Sequence, residues 1–231
     1  MSGSDGAKRA AAEAAAALVQ SGMLVGLGSG STLKHLIVAL ARRVREEGLR
    51  IVGVPTSVET EALALSHGIT LVELDAAPLD LAIDGADEVE RGTLRLIKGL
   101  GGALLREKIV AENSRRFVVV ADASKLVDTL GSRSPLPVEV VRFGQGATER
   151  RLTELGARPV LRIDAGGAPF VTDGGNVIYN CAGFAPIRDP ITLQRQLRAI
   201  AGVVETGLFL ECAEQAIIGA ADGSVTVVRP G

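Results

Sequence analysis

The stretch "DLAIDGADEVE", residues 80–90, places five carboxylates within eleven residues, in a chain whose formal net charge is only −2. Two of them, Asp84 and Asp87, flank a Gly-Ala pair directly after an apolar run. Carboxylates this close repel one another, which is typical of three arrangements: a solvated turn, a metal site, or acid–base machinery. The chemistry therefore depends on which of the five a cleft brings together.

Asp84 lies at the end of a strand-like pattern in which Leu81 and Ile83 alternate with polar or small residues. The carboxyl end of a strand is the edge at which open α/β sheets bind ligands, and a tight turn would bring Asp87 to the same spot. Magnesium is the main alternative for this pair. No further ligand stands nearby, so we favour acid–base chemistry. For Glu88 and Glu90 we predict a solvated turn.

The stretch "KGLGGALLREK", residues 98–108, is a second candidate. Lys98 ends a strand-like run, and the glycines after it form a loop that opens a helix, an arrangement that favours anions. On that helix the residues three and four positions from Glu107 are all apolar. Glu107 is either an ill-placed surface residue or a partly desolvated base, whose pKa burial would raise. We expect Lys108 to pair with Glu112 on the surface.

A third loop, "VGLGSGST" at residues 25–32, joins a strand to a helix and presents backbone N–H groups to an anion. It is not a dinucleotide fingerprint, because Ser31 or Leu33 stands where the third glycine is required, and no Walker-A lysine follows. The hydroxyls of Ser29, Ser31 and Thr32 suit a phosphate or a polyol. The alternative is a tight turn with a hydroxyl N-cap.

Composition narrows the class of protein. The chain has 231 residues, 47% of them hydrophobic, which is enough for a substantial core. The slight acidity and the absence of Trp argue against a nucleic-acid platform. Residues 14–33 are uncharged but rich in glycine and hydroxyls, so we expect no membrane span. Cys181 and Cys212 have no metal-ligand spacing, and we predict reduced thiols in a cytoplasmic protein.

The order of elements predicts an α/β fold. Helices and short β-branched strands alternate up to about residue 131, which indicates a mostly parallel, Rossmann-like sheet that residues 95–99 extend. A β-α-β-β-α-β order follows, in which residues 203–211 form the last strand. We therefore predict a smaller α+β ferredoxin-like domain at 131–205, inserted into a catalytic domain of residues 1–130 and 206–231. A final hairpin would rejoin the first sheet.

Seven stretches together resemble the A-type ribose-5-phosphate isomerases, in the order in which that family has them, from about Lys8 to the final hairpin. They are "VGLGSGST", "DGADE", "KGLGGALLREKIVA", "ADASK", "PLPVEV", "VTDGGN" and "GVVETGLF". The resemblance implies interconversion of D-ribose 5-phosphate and D-ribulose 5-phosphate through an enediolate, in the non-oxidative pentose phosphate pathway. It implies no metal or organic cofactor, no nucleic-acid or membrane partner, and a homodimer or homotetramer.

The resemblance also implies roles for individual residues. Glu107 falls on the family's proton acceptor, and we expect Asp84, Asp87 and Lys98 to assist it in catalysis. The expected substrate-binding residues are Ser29, Gly30, Ser31, Thr32, Asp84, Gly85, Ala86, Asp87, Lys98, Gly99, Leu100, Gly101 and Lys125. Ser29 stands where family members often have Thr, which keeps the hydroxyl. Lys8 is a weaker candidate for the phosphate.

Three other classes of protein compete with this interpretation. Sugar-phosphate-sensing domains of transcription regulators look similar to this fold, although they normally carry a DNA-binding segment. A metal-dependent phosphatase would use Asp84 and Asp87 as ligands. A nicotinamide oxidoreductase is disfavoured by the glycine spacing of the first loop.

Overall fold

The computed structural model describes residues 3–75 and 77–231. The helices of this part of the chain are α1 (Gly3–Ala16), α2 (Ser31–Glu47), α3 (Val58–Ser66), α4 (Leu104–Glu112), α5 (Gln145–Glu154) and α6 (Pro190–Arg198), with a short 3-10 helix at Ala123–Lys125. The strands are β1 (Leu24–Leu27), β2 (Val52–Pro55), β3 (Thr70–Leu71), β4 (Leu81–Gly85), β5 (Glu88–Glu90), β6 (Leu96–Ile97), β7 (Phe117–Asp122), β8 (Leu126–Val127), β9 (Leu136–Val140), β10 (Arg158–Leu161), β11 (Val177–Ala182), β12 (Val203–Thr206), β13 (Leu208–Phe209), β14 (Gln215–Gly219) and β15 (Val225–Val228).

The central sheet has seven strands in the order β15-β14-β7-β4-β1-β2-β3, and every neighbouring pair except β14–β15 is parallel. Strand β7, which lies between β14 and β4, is buried on both faces, which explains the continuous apolar run "FVVVA". Val118 and Val120 pack with residues of α1 and α2, while Val119 and Ala121 pack with residues of α4 on the other face. The predicted mostly parallel sheet is confirmed.

A second sheet of four antiparallel strands has the order β10-β11-β9-β12. Leu152 of α5 and Leu197 of α6 pack with its buried residues. This is the element order and strand order of the ferredoxin-like unit, so the predicted fold class is confirmed. The domain boundaries at residues 131 and 205 remain a prediction.

A third, small sheet joins the two larger ones, with the order β13-β6-β5-β8. Two predictions were wrong here. Residues 95–99 do not extend the central sheet, because β6 belongs to the small one. Residues 203–211 are not one strand either: β12 pairs in the ferredoxin-like sheet and β13 pairs with β6. The final hairpin, β14 and β15, rejoins the central sheet as predicted.

The ends of the helices follow local chemistry. Gly48 closes α2 with φ 70, a left-handed conformation that glycine adopts without strain. The Asp189 side chain accepts a hydrogen bond from the backbone N–H of Thr192 at the start of α6. α1 ends at Ala16, whose carbonyl oxygen accepts a hydrogen bond from the Arg43 guanidinium. Within the described residues, no helix is both long enough and apolar enough to cross a bilayer.

Candidate active site

Asp84 is fixed by the loops that follow two neighbouring strands. Because β1 and β4 pair in parallel, the loop after β1 meets the end of β4. Oδ1 of Asp84 accepts hydrogen bonds from the backbone N–H groups of Ser29 at 3.1 Å and Gly85 at 2.7 Å. A Cβ atom at Gly28 would lie 2.2 Å from the Asp84 carboxyl carbon, so only glycine admits this approach. The loop and the carboxylate therefore position each other.

Lys98 connects two carboxylates. Its Nζ lies 3.1 Å from Oδ2 of Asp84 and 3.4 Å from Oε2 of Glu107. The same ammonium donates to the carbonyl oxygen of Gly85 at 2.6 Å. The three side chains are only 2–6% exposed to solvent. The sequence stretches that contain them thus form one buried cluster of one cation and two carboxylates.

Glu107 has the properties of a general base at neutral pH. It lies on the first turn of α4, and its Oε2 makes no hydrogen bond to the described residues. Burial raises the pKa of Glu107 to about 8, and the negative charges of Asp84 and Asp87 act in the same direction, while Lys98 opposes them. Of the two alternatives for Glu107, the ill-placed surface residue is therefore wrong, because its carboxyl group is buried and desolvated.

The other two members of the cluster are shifted as well. Burial alone lowers the pKa of Lys98, but the carboxylates of Asp84 and Glu107 outweigh it and raise that pKa to about 12. Burial raises the pKa of Asp84, against the opposing effects of the Lys98 ammonium and the two N–H donors. Lys98 therefore carries a positive charge throughout the neutral range, at a point where developing negative charge could be stabilised.

A cavity of about 130 Å³ opens beside this cluster. It is lined by nearly all the residues that the sequence analysis named: Ser29, Gly30, Ser31, Thr32, Gly85, Ala86, Asp87, Lys98, Gly99, Gly101, Glu107 and Lys125. Two named residues lie just outside the lining. Asp84 contacts the Lys98 ammonium through Oδ2. Leu100 donates its backbone N–H to Oδ2 of Asp87 at 2.9 Å.

Four residues that line the cavity were missed by sequence reasoning, namely Leu33, Val120, Ala121 and Asp122. Lys8, which was named as a weaker candidate, also lines the cavity. Asp122 was detectable. It ends β7 at the same edge as Asp84, so the argument that selected Asp84 applies to it as well. Its side chain accepts from the backbone N–H of Ser124 at 2.9 Å and caps the 3-10 helix that carries Lys125.

One end of the cavity is suited to an anion. Ser31 and Thr32 begin α2, whose N-terminal N–H groups carry partial positive charge. Nζ of Lys8 donates to Oγ of Ser31 at 3.0 Å, and Lys125 lines the same cavity. Lys8 and a helix N-terminus thus lie together, and Lys125, Glu107 and Lys98 line the same cavity.

Ser29 plays a different part from its neighbours. Its hydroxyl lies 2.8 Å from Thr56 Oγ1 and 2.7 Å from Ser57 Oγ, in a group of hydroxyls at the ends of β1 and β2 that also includes Thr60. Ser29 lines the cavity, but its hydroxyl is held inside the fold. The loop is therefore fastened by side-chain hydrogen bonds on one side and presents Ser31 and Thr32 on the other.

Three of the charges were placed wrongly by sequence reasoning. Glu88 and Glu90 are not in a solvated turn: both are buried, and Glu88 accepts hydrogen bonds from the backbone N–H groups of Gly131, Arg133 and Ser134. Lys108 is not on the surface. It is buried and its Nζ lies 2.8 Å from Oε1 of Glu205, 97 residues away. Partners this distant leave no local signal.

The alternative of a magnesium site has little support in this geometry. Both oxygens of Asp84 are already engaged, one by backbone N–H groups and the other by the Lys98 ammonium. Within residues 3–75 and 77–231, no group of three or more His, Cys, Asp or Glu side chains is arranged to hold a metal ion. The arrangement is suited to moving a proton on and off carbon beside a fixed positive charge.

Comparison with known proteins agrees with this chemistry. Residues 52–223 match the family model described as ribose 5-phosphate isomerase A (phosphoriboisomerase A). A relative named ribose-5-phosphate isomerase A from Synechococcus sp. (strain JA-3-3Ab) is 52% identical over 98% of this chain and 99% of its own length.

Solved structures give the same result. The ribose 5-phosphate isomerase A of Methanocaldococcus jannaschii superposes with a TM-score of 0.91 and 43% identity, covering 96% of this chain and 97% of that one. A D-ribose-5-phosphate isomerase in complex with phospho-erythronic acid has a TM-score of 0.93 and 36% identity, covering 98% and 99%. Matches of this extent and identity show that the chain belongs to the ribose 5-phosphate isomerase A family.

Proposed function

We propose that the cavity is the active site at which this chain interconverts D-ribose 5-phosphate and D-ribulose 5-phosphate, with Glu107 as the group that moves the proton. The reaction is that of the family to which the chain belongs. The observation that carries the assignment of the base is the buried Glu107 carboxyl, whose pKa of about 8 lies near neutrality and whose Oε2 lies 3.4 Å from the Lys98 ammonium.

The proton transfer needs one base that serves two carbons. In the open-chain aldose, the Glu107 carboxylate takes the proton from C2, the electron pair of that C–H bond forms the C1–C2 double bond, and the π pair of the C1 carbonyl moves onto its oxygen. The product of this step is a 1,2-enediolate. Return of the proton to C1, while the proton of the O2 hydroxyl moves to O1, gives the ketose. The Lys98 ammonium stabilises the negative charge that develops on the oxygens, because it is held in place before the reaction begins.

The two aspartates have different parts in this proposal. Asp87 lines the cavity, where its carboxylate accepts hydrogen bonds from substrate hydroxyls. This position suits a role in ring opening and in the transfer of a proton between O1 and O2. Asp84 does not line the cavity and holds Lys98 in position. Two carboxylates in different surroundings can thus take different roles.

The phosphate is assigned to the other end of the cavity. Ser31 and Thr32 at the start of α2, with Lys8 beside Ser31 and Lys125 in the lining of the same cavity, supply hydroxyls, N–H groups and positive charge. Phospho-erythronic acid, bound in the related isomerase, combines a phosphate with a carboxylate that resembles the charged C1–C2 end of an enediolate. Such a molecule would place its carboxylate at Lys98 and its phosphate at α2 in this chain.

The test of the base is Glu107→Gln, measured by a coupled assay for ribulose 5-phosphate and by exchange of the C2 proton with solvent. We expect turnover to fall by roughly 10²–10⁴-fold, with substrate binding largely intact. Glu112→Gln, at the exposed end of the same helix, is the matched control and should leave turnover unchanged. Near-normal turnover or exchange in Glu107→Gln would refute the assignment.

We also infer that the chain forms a homodimer or homotetramer and works in the cytoplasm. Support for self-association comes from the exposed apolar side chains of Val58, Val72 and Ile109, which are 54%, 45% and 42% exposed and lie around one surface cavity of about 480 Å³. Contiguous exposed apolar surface of this kind marks interaction sites. Support for the cytoplasm comes from the substrate class of the family and from two cysteines that are both unpaired.

A further inference from the structure

The segment "ETGLF", residues 205–209, contacts Lys98 of the proposed active-site cluster. It links β12 to β13 and is buried along its whole length. None of its residues lines the cavity. Its contacts nevertheless reach Lys98 and the residue next to Glu107, by three different kinds of interaction.

The first interaction is made by the backbone. The N–H of Lys98 donates to the carbonyl oxygen of Gly207 at 2.9 Å, and Leu208 and Phe209 pair with Ile97 and Leu96 of β6. A Cβ atom at Gly207 would lie 2.3 Å from the Lys98 carbonyl oxygen. The segment therefore fixes the position of the Lys98 backbone, from which the side chain extends.

The second interaction is made by the aromatic ring of Phe209. The ring centroid lies 5.3 Å from Nζ of Lys98 and 4.9 Å from Nζ of Lys108. Phe209 is 1% exposed, and cation–π attraction is strongest where the ammonium is desolvated. A ring attracts the ammonium without adding an ionisable group, whereas a further carboxylate would make Glu107 still harder to ionise.

The third interaction holds helix α4. Nζ of Lys108 donates to Oε1 of Glu205 and to the carbonyl oxygen of Thr206, both at 2.8 Å. Lys108 directly follows Glu107, so these bonds fix the helical turn that carries the base. One five-residue segment thus contacts Lys98 and the residue that follows Glu107, whose carboxyl group lies 3.4 Å from the Lys98 ammonium.

We infer that Phe209 is a positioning residue for the isomerisation: its ring holds the Lys98 ammonium at the distance from Glu107 that proton transfer requires. The inference rests on the proposed function of Glu107 and Lys98. It assigns Phe209 no contact with substrate.

The test replaces Phe209 by phenylalanines of increasing fluorination, ending with pentafluorophenylalanine. Fluorine withdraws electron density from the ring face while the ring keeps nearly the same shape, so attraction to the ammonium is lost and packing is retained. The matched control is the same replacement at Phe117, a phenylalanine that is 2% exposed in β7. The chain is otherwise unchanged, and kcat, KM, pH profile and melting temperature are compared.

We expect kcat to fall in steps with fluorination at 209, by roughly tenfold for the pentafluoro ring, with KM nearly unchanged. The acid limb of the kcat/KM profile should move to higher pH, because a less tightly held ammonium lowers the pKa of Glu107 less. A residue that only fills space would leave that limb in place. The Phe117 series should leave both kcat and the limb unchanged.

Wild-type kcat and an unmoved limb in the pentafluoro variant would overturn the inference, and so would equal losses in the two series. Phe209→Leu is a second arm. If it folds, it should show the same shift of the limb, and its failure to fold leaves the fluorinated series decisive. Failure of the proposed function is separate, because it would appear as full turnover in Glu107→Gln with Phe209 intact.

Discussion

Lys98 is the residue on which the proposed chemistry of the site depends. Without a cation, a carboxylate buried beside two others would ionise only far above neutral pH, and a lone ammonium at 2% exposure would lose its proton more readily. Each of these costs is reduced by the other group, which is why Lys98 has a pKa of about 12 while Glu107 has one of about 8. The pair thus places a side chain that stays positively charged 3.4 Å from a base that titrates near neutral pH.

The value for Glu107 predicts the pH dependence of catalysis. Only the ionised carboxylate can accept the C2 proton, so kcat/KM should rise as the pH increases through about 8 and fall below it. The limb should be read from kcat/KM, which reports the groups of the free protein, and it lies well above the ionisation of the substrate phosphate near pH 6. A stopped-time assay from pH 6 to 10 measures it, and a flat profile across pH 7–9 would be inconsistent with Glu107 as the base.

At the residue scale, sequence reasoning succeeded where a signal was local and failed where it was not. Asp84, Lys98 and Glu107 each stand beside a glycine loop or at a strand end, and the structure brings them into one cluster. Lys108 was misplaced because its partner Glu205 is 97 residues away. The sequence around a charged residue on a short helix does not indicate whether a distant strand will bury that residue.

Element geometry sets the distances within the cluster. The loop after β1 contains Gly28, and any Cβ there would come within 2.2 Å of the Asp84 carboxyl group. A side chain at this position would not meet a flexible surface group. It would push the carboxylate that holds Lys98, so the glycine is required by the close approach of the Asp84 side chain to the loop backbone.

Gly28→Ala should therefore impair catalysis more than folding. The added methyl group displaces Asp84 and with it Lys98, and misplacement of a catalytic group by about 1 Å can cost roughly 10²-fold in rate. Steady-state kinetics and thermal unfolding measure the two effects. Gly146→Ala is the control, because no atom lies within 4 Å of the Cβ position at this site outside the cavity. A kcat within twofold of wild type in Gly28→Ala would contradict the expectation.

The course of the strands was predictable only in part. Alternating helices and strands predicted the parallel sheet. The continuous apolar run of β7 was part of that pattern, and it is explained by the burial of this strand on both faces. The stretch 203–211 reads as one strand because most of its residues are β-branched, aromatic or aliphatic, namely Val203, Val204, Thr206, Leu208, Phe209 and Leu210. The change of sheet at Gly207 depends on contact with Lys98 and Pro137, which the local pattern does not contain.

At the scale of the whole molecule, the ferredoxin-like unit closes over the glycine loop that carries Lys98. The Phe170 ring would lie 2.5 Å from a Cβ atom at Gly102, and the Arg162 guanidinium stacks on that ring at 4.5 Å. Oδ2 of Asp173 accepts from the backbone N–H of Val58 at 2.9 Å, at the start of α3. The smaller unit thus contacts the loops of the larger one on two sides of the site.

Helix α4 relates the active site to the proposed assembly. Glu107 is on its buried side, and Ile109 is 42% exposed on the outer side, beside Val58 and Val72. If a second copy covers this apolar surface, Ile109→Arg should convert the dimer or tetramer into smaller species, because burying an unpaired charge in an apolar interface is unfavourable. Light scattering coupled to size-exclusion chromatography measures the mass. Val38→Arg, which adds the same charge at an isolated exposed valine of α2, should leave the mass unchanged. A wild-type chain that is monomeric at micromolar concentration, or an Ile109→Arg variant of unchanged mass, would show that this surface is not the interface.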